Sequence, residues 1–135
     1  MNKVYINNLV GKRIGKNRLK KLAHKILADH EIDNMKLSIT FISDDDMTTL
    51  NKKYTGRDGT TDVLAFRVDT NLPKDVVLGD IYISYDEIER QSKEFNEPKQ
   101  KILLRVFCHG VLHVIGLDHG KEMRSKEDKY INLVI

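Results

Sequence analysis

Apolar residues recur along the chain with two different periods, and each change of period marks a new element. Val4 and Ile6 alternate with polar neighbours, so residues 3 to 9 predict a short strand. Gly11 and Gly15 punctuate a turn. Leu19, Leu22, Ala23, Ile26 and Leu27 then repeat at three- and four-residue steps, which predicts a helix over about 17 to 30 with Arg18, Lys21 and Lys25 on its polar side. Leu37, Ile39 and Phe41 alternate with Ser38 and Thr40, giving a half-buried strand over 36 to 42. Ser43 is placed to cap the next helix, Asp44, Asp45 and Asp46 fill its first turn, and Met47, Leu50 and Tyr54 mark its expected buried face.

Thr55 to Thr61 is a polar loop containing Gly56 and Gly59, and Asp62 to Val68 reads as a strand. A second loop carries Pro73, and Val77 to Ser84 is another strand. A helix over about 85 to 95 follows, with Ile88, Gln91 and Phe95 in phase. Pro98 suits the first turn of a further helix that runs to about Ile115. Its apolar residues go nearly all the way round, the mark of a central, buried helix. A short helix over roughly 122 to 133 ends the chain. Together these elements predict an α+β fold, in which about four strands form one mixed sheet covered by helices. The sequence shows no repeat, low-complexity tract or linker, so residues 1–135 are expected to form a single domain.

Composition narrows the class. A chain of 135 residues buries enough surface for a real core, and its one Cys cannot form an internal disulfide. Charged residues make up 32% of the chain, and no apolar run approaches the ~18 residues that span a bilayer, so no membrane partner is expected. The first ten residues are interrupted by polar positions and lack a signal-peptide core, which makes the cytoplasm the expected location. The net charge of +3 is uneven: residues 1 to 36 hold nine Lys/Arg and three acids, leaving the remainder net acidic. A basic N-terminal third suits an anionic partner; the plainer alternative is a solvated helix face.

The residues with the clearest chemistry end the buried helix: His109-Gly110-Val111-Leu112-His113-Val114-Ile115-Gly116-Leu117-Asp118-His119. His109 and His113 are four apart, so on a helix they share a face with Cβ atoms about 5 to 6 Å apart, close enough for both imidazoles to reach one ion at about 2.0 to 2.1 Å. Gly116 can end the helix through a left-handed residue and bring His119 round as a third ligand. Three protein nitrogens leave a fourth position for water, the pattern of a catalytic rather than a structural zinc. Imidazole also suits other divalent transition metals. His24 and His30, taken singly, read as ordinary core histidines.

The pattern His-Gly-x-Leu-His-x-x-Gly-x-Asp-His resembles the signature of the YbeY family of bacterial zinc-dependent endoribonucleases. The resemblance extends through Leu50-Asn51-x-x-Tyr54, Thr61-Asp62-Val63-Leu64-Ala65-Phe66, Leu78-Gly79-Asp80-Ile81 and Gln91-Ser92-x-Glu94. The pattern is also similar to the metzincin protease motif, but Gly110 stands where that motif needs a glutamate base. Family members usually carry Arg directly after the loop tyrosine. Here Thr55 takes that place and Arg57 lies two residues on, while Thr60 and Arg67 replace prolines common in the family.

The resemblance implies a metallo-endoribonuclease that hydrolyses single-stranded RNA at zinc held by His109, His113 and His119. It also implies a role in 3′ maturation of small-subunit ribosomal RNA and in ribosome quality control, with the ribosome or its small subunit as partner. Arg57 or Arg105 is the candidate to neutralise phosphate charge; Arg105, one turn before His109, can instead snorkel to solvent or pair with an acid. Asp118 is a candidate to orient a ligand imidazole, or a turn residue, and Asp62 and Asp80 are further candidates for the same role or for loop support. Arg18, Lys21 and Lys25 are the candidate RNA-backbone track. Cys108 reads as a small buried apolar residue. Two rival readings are a ribosome-assembly factor with mainly structural zinc and a metal-dependent hydrolase of another substrate.

Overall fold

The computed structural model describes residues 1–69, 76–117 and 120–134. Pro73, Asp118 and His119 therefore lie outside the described residues. The chain runs β1 (Lys3–Asn8), α1 (Lys16–Asp29), β2 (Met35–Ile42), α2 (Asp44–Thr55), β3 (Val63–Asp69), β4 (Val77–Ser84), α3 (Tyr85–Glu94), α4 (Lys99–Val114) and α5 (Lys121–Val134). The strands form one mixed sheet in the order β1-β2-β4-β3. β1, β2 and β4 are parallel, and β3 pairs antiparallel with β4 at the edge. This is the α+β architecture that the periodicity predicts.

One sheet face is apolar because every second residue faces the same way. Val4, Ile6, Leu37, Ile39, Phe41, Ile81 and Ile83 are buried on it with the core of α1 and α4. The opposite face carries Tyr5, Lys36 and Leu78, which are exposed.

The crossing of α4 over β4 depends on two glycines. A Cβ on Gly79 would lie 2.8 Å from Val114 Cγ1 and 2.8 Å from Leu37 Cδ1, while one on Gly110 would lie 3.0 Å from Ile81 Cγ2 and 3.2 Å from Val63 Cγ2. Each glycine thus receives a branched side chain of the other element, Val114 over Gly79 and Ile81 under Gly110. This interlock fixes how α4 sits on the sheet, and with it the place of His109 and His113 beside β3.

The caps follow the sequence. Ser43 Oγ accepts from the Asp46 N–H at 3.3 Å, and Ser84 Oγ accepts from the Glu87 N–H at 3.3 Å. Gly116, at φ +104°, ends α4: its N–H donates to the His113 carbonyl at 3.0 Å, and the Leu117 N–H donates to the Leu112 carbonyl at 3.1 Å. This pair of bonds is the Schellman termination expected of that glycine. Pro98 stands one residue earlier than predicted, as the N-cap of α4.

Three expectations are corrected. Tyr54, placed on the buried stripe of α2, is 53% exposed: its ring leans on Phe66 of edge strand β3, centroids 5.1 Å apart, and Asn51 is buried instead. Phe95 is likewise exposed, at the cap of α3. Neither single histidine is buried in the core: His24 is exposed on α1, and His30 is half-buried at its C-cap, Nδ1 2.8 Å from the Ile26 carbonyl.

Candidate active site

His109 and His113 project from the same face of α4, one turn apart, with ring planes 2° from parallel and centroids 6.5 Å apart. The two rings border a cleft of about 230 Å³ that runs along the edge strand β3, lined also by Thr55, Gly110 and Val63 to Phe66. His113 is exposed and His109 half-buried, so the pair lies between core and solvent.

The far side of His109 is held by a residue that the sequence reading missed. His109 Nδ1 lies 3.1 Å from Glu127 Oε2, and Glu127, on α5, is 7% exposed. A carboxylate only accepts, so the bond makes Nδ1–H the donor and leaves Nε2 as the nitrogen with a lone pair. The hydrogen bond to Glu127, and after it the negative charge of Glu127 and Asp62, raises the His109 pKa against the opposing effect of burial. A signal for Glu127 existed: it falls in phase with Met123, Tyr130 and Ile131, an acid on an otherwise apolar helix stripe. Tyr130 anchors that stripe by donating its hydroxyl to Asp29 Oδ2 on α1 at 2.8 Å.

The arrangement fits a divalent metal. Two imidazoles one helical turn apart, one oriented by a carboxylate on its other nitrogen, have the donor chemistry of zinc ligands, while among the described residues no group of three or more His, Cys, Asp or Glu is placed to hold an ion. His119, the third predicted ligand, and Asp118, the predicted orienting acid, lie outside the described residues. Glu127 orients His109, a role that the sequence reading assigned to no residue of α5.

The remaining candidates separate. Arg105 Nη1 is 3.1 Å from Asp128 Oδ1 and 3.9 Å from Glu127 Oε1, so its charge is engaged with α5. Thr55 lines the cleft where the family arginine is expected. Its hydroxyl donates to the Asn51 carbonyl at 2.7 Å and accepts from the Arg57 N–H at 3.2 Å, so it braces the loop. Arg57 is exposed on that loop. Asp62 accepts from Gln91 Nε2 at 3.2 Å, and its carbonyl accepts from the Ser84 N–H at 2.9 Å. Asp80 accepts from the Tyr82 hydroxyl at 2.9 Å on the outer sheet face. Arg67 reaches the Val114 carbonyl at the end of α4.

Arg18, Lys21 and Lys25 line a different groove with Leu22, Leu133 and Val134, and none of these residues borders the histidine cleft. Cys108 is fully buried, which pushes its thiol up to about 12. No helix among the described residues is long and apolar enough to cross a membrane.

Comparisons with known proteins give matches along most of the chain. Residues 5–134 match the family model described as Endoribonuclease YbeY. The chain is 35% identical over 130 residues to an endoribonuclease YbeY of Persephonella marina, covering 94% of this chain and 85% of the relative. It is 34% identical over 134 residues to that of Thermotoga maritima, covering 93% and 87%. A solution structure of a Thermotoga maritima protein superposes with a TM-score of 0.65 at 30% identity, covering 99% of this chain and 89% of the other.

Proposed function

Because the chain belongs to the endoribonuclease YbeY family, we propose that it hydrolyses single-stranded RNA at a zinc ion held by His109, His113 and His119. The observation that carries this reading is the His109–His113 pair facing the β3 cleft, with His109 fixed from behind by Glu127. When bound, the ion supplies Lewis acidity toward a phosphoryl oxygen and a water activated near neutral pH. The chain's own residues supply position and charge. Glu127 holds the Nδ1 proton of His109, which keeps Nε2 available and the ring oriented. Gly110 leaves room for the close seat of α4 on β4.

Position 110 holds no carboxylate base but a glycine packed on Ile81 and Val63; this weighs against peptide hydrolysis by the metzincin route. Arg57 is the loop's candidate to neutralise phosphate, and Arg57→Ala is expected to lower activity at least about tenfold. Arg105 is assigned to fixing Asp128 and Glu127. Asp118 is retained as an aid to His119. Arg18, Lys21 and Lys25 are assigned to the RNA backbone away from the reacting phosphate. Small-subunit ribosomal RNA, met on the ribosome in the cytoplasm, is the proposed physiological substrate.

The test is cleavage of a purified single-stranded RNA by wild type and by His113→Ala, each with measured zinc content. Cleavage by the zinc-bearing wild type, lost in His113→Ala, is the expected result. A wild type with one bound zinc that leaves the RNA intact overturns the nuclease reading in favour of an assembly factor with structural zinc.

A further inference from the structure

His109 borders a second hollow, of about 440 Å³, lined also by Gly120, Lys121, Met123, Arg124 and Glu127, none of which borders the β3 cleft. Two of these residues are cations at the start of α5, both exposed. The acid that lines the hollow, Glu127, is nearly buried and already bonded to His109. The other arginine of this region, Arg105, is turned to Asp128. The lining of the hollow thus sets two cations, Lys121 and Arg124, against one carboxylate that His109 already engages.

We propose that Lys121 and Arg124 form a phosphodiester-binding subsite next to His109. The inference rests on the RNA-cleavage reading for its substrate, but it concerns a separate act, the grip on a backbone phosphate. Arg124 offers a planar fork of donors and Lys121 a mobile point charge, a pairing suited to a phosphate with two unesterified oxygens. Both are one to two turns from Glu127 on the same helix, so the residue that orients His109 and the residues that hold phosphate move together. A strand passing from the β3 cleft across His109 would meet them next.

The test uses the full chain as purified, a fluorescein-labelled oligothymidylate and a salt series. The probe presents the same phosphodiester backbone and is not RNA. Each phosphate contact to a single strand contributes about 0.7 to the slope of log affinity against log salt. Lys121→Gln/Arg124→Gln is expected to bind more weakly and to flatten that slope by about 1.4, while Lys121→Arg/Arg124→Lys keeps the wild-type slope. A double glutamine variant with native circular dichroism and unchanged affinity and slope overturns the subsite, whatever its cleavage rate. A wild type that binds the probe and cleaves no RNA defeats the nuclease reading and leaves the subsite standing, provided the glutamine pair still flattens the slope.

Discussion

The basic stripe of α1 and the two cations at the start of α5 carry the same charged groups in different surroundings. Arg18, Lys21 and Lys25 line a groove with Leu22, Leu133 and Val134, and Lys25 lies 3.4 Å from Asp29. Lys121 and Arg124 line the hollow that contains His109 and Glu127. Counting charge by segment singles out the first group, because nine cations fall in the first 36 residues. The net acidic remainder of the chain hides the second. What distinguishes them is the neighbouring chemistry: on α1 an apolar groove, on α5 a histidine held by a buried acid. Charge density along the sequence indicates the class of partner, and only the fold indicates which charges stand beside reacting groups.

The contrast can be broken first at Gly110, where the expected effect is largest. Gly110→Glu, which restores the protease-like motif, presses a Cβ against the Ile81 and Val63 methyls at 3.0 and 3.2 Å. It should cost up to about 3 kcal/mol, visible as a fall in Tm without any gain of peptidase activity. Gly110→Ala is the milder control, since side-chain tips can yield a few tenths of an ångström and the helix gains about 1 kcal/mol of propensity. Next comes Glu127→Gln, which keeps the size of the side chain and removes its charge. Zinc affinity in a chelator competition should fall about 10- to 100-fold with the fold intact; an unchanged affinity would show that Glu127 only packs.

On the α1 side the effect should be smaller and of another kind. Arg18→Gln/Lys21→Gln/Lys25→Gln is expected to raise the KM for RNA and lower its salt dependence by up to about 2 in slope, with kcat unchanged. A drop in kcat would place the stripe at the reacting phosphate and erase the distinction between the two regions.

The smallest effect lies outside both. Asp44 is held at about 2, chiefly by its hydrogen bond to Arg90 and then by Ser84 and Thr60, against the cost of burial. Its folded value lies below its unfolded one. Its contribution is therefore present above about pH 4 and lost as pH falls toward 2. Thermal melts from pH 6 to 2 should show a decline that Asp44→Asn makes shallower. Equal slopes would assign the acid loss to other carboxylates.

Much of the fold was legible because it is encoded over short distances. The stripe from Leu19 to Leu27, the alternation of Leu37, Ile39 and Phe41, the Ser43 cap and the Gly116 stop each depend on residues within a few positions. The histidine pair was legible for the same reason, since a four-residue spacing on a helix fixes a shared face. Glu127, 18 residues beyond His109, was not, because its role depends on how α5 docks against α4. Tyr54 keeps the phase of a buried residue, yet only the Phe66 ring of edge strand β3 meets it and its other side stays open to solvent. Gly110 reads in the sequence as a missing base, and in the fold it is the position that lets Ile81 approach the helix.

The central claim is that the imidazoles of α4 hold one divalent ion. Zinc K-edge X-ray absorption on the reconstituted full chain tests it most directly. The expected result is one zinc per chain with imidazole nitrogens at about 2.0 to 2.1 Å, their number reduced by one in His113→Ala. A first shell without imidazole, or one identical in wild type and His113→Ala, would contradict it.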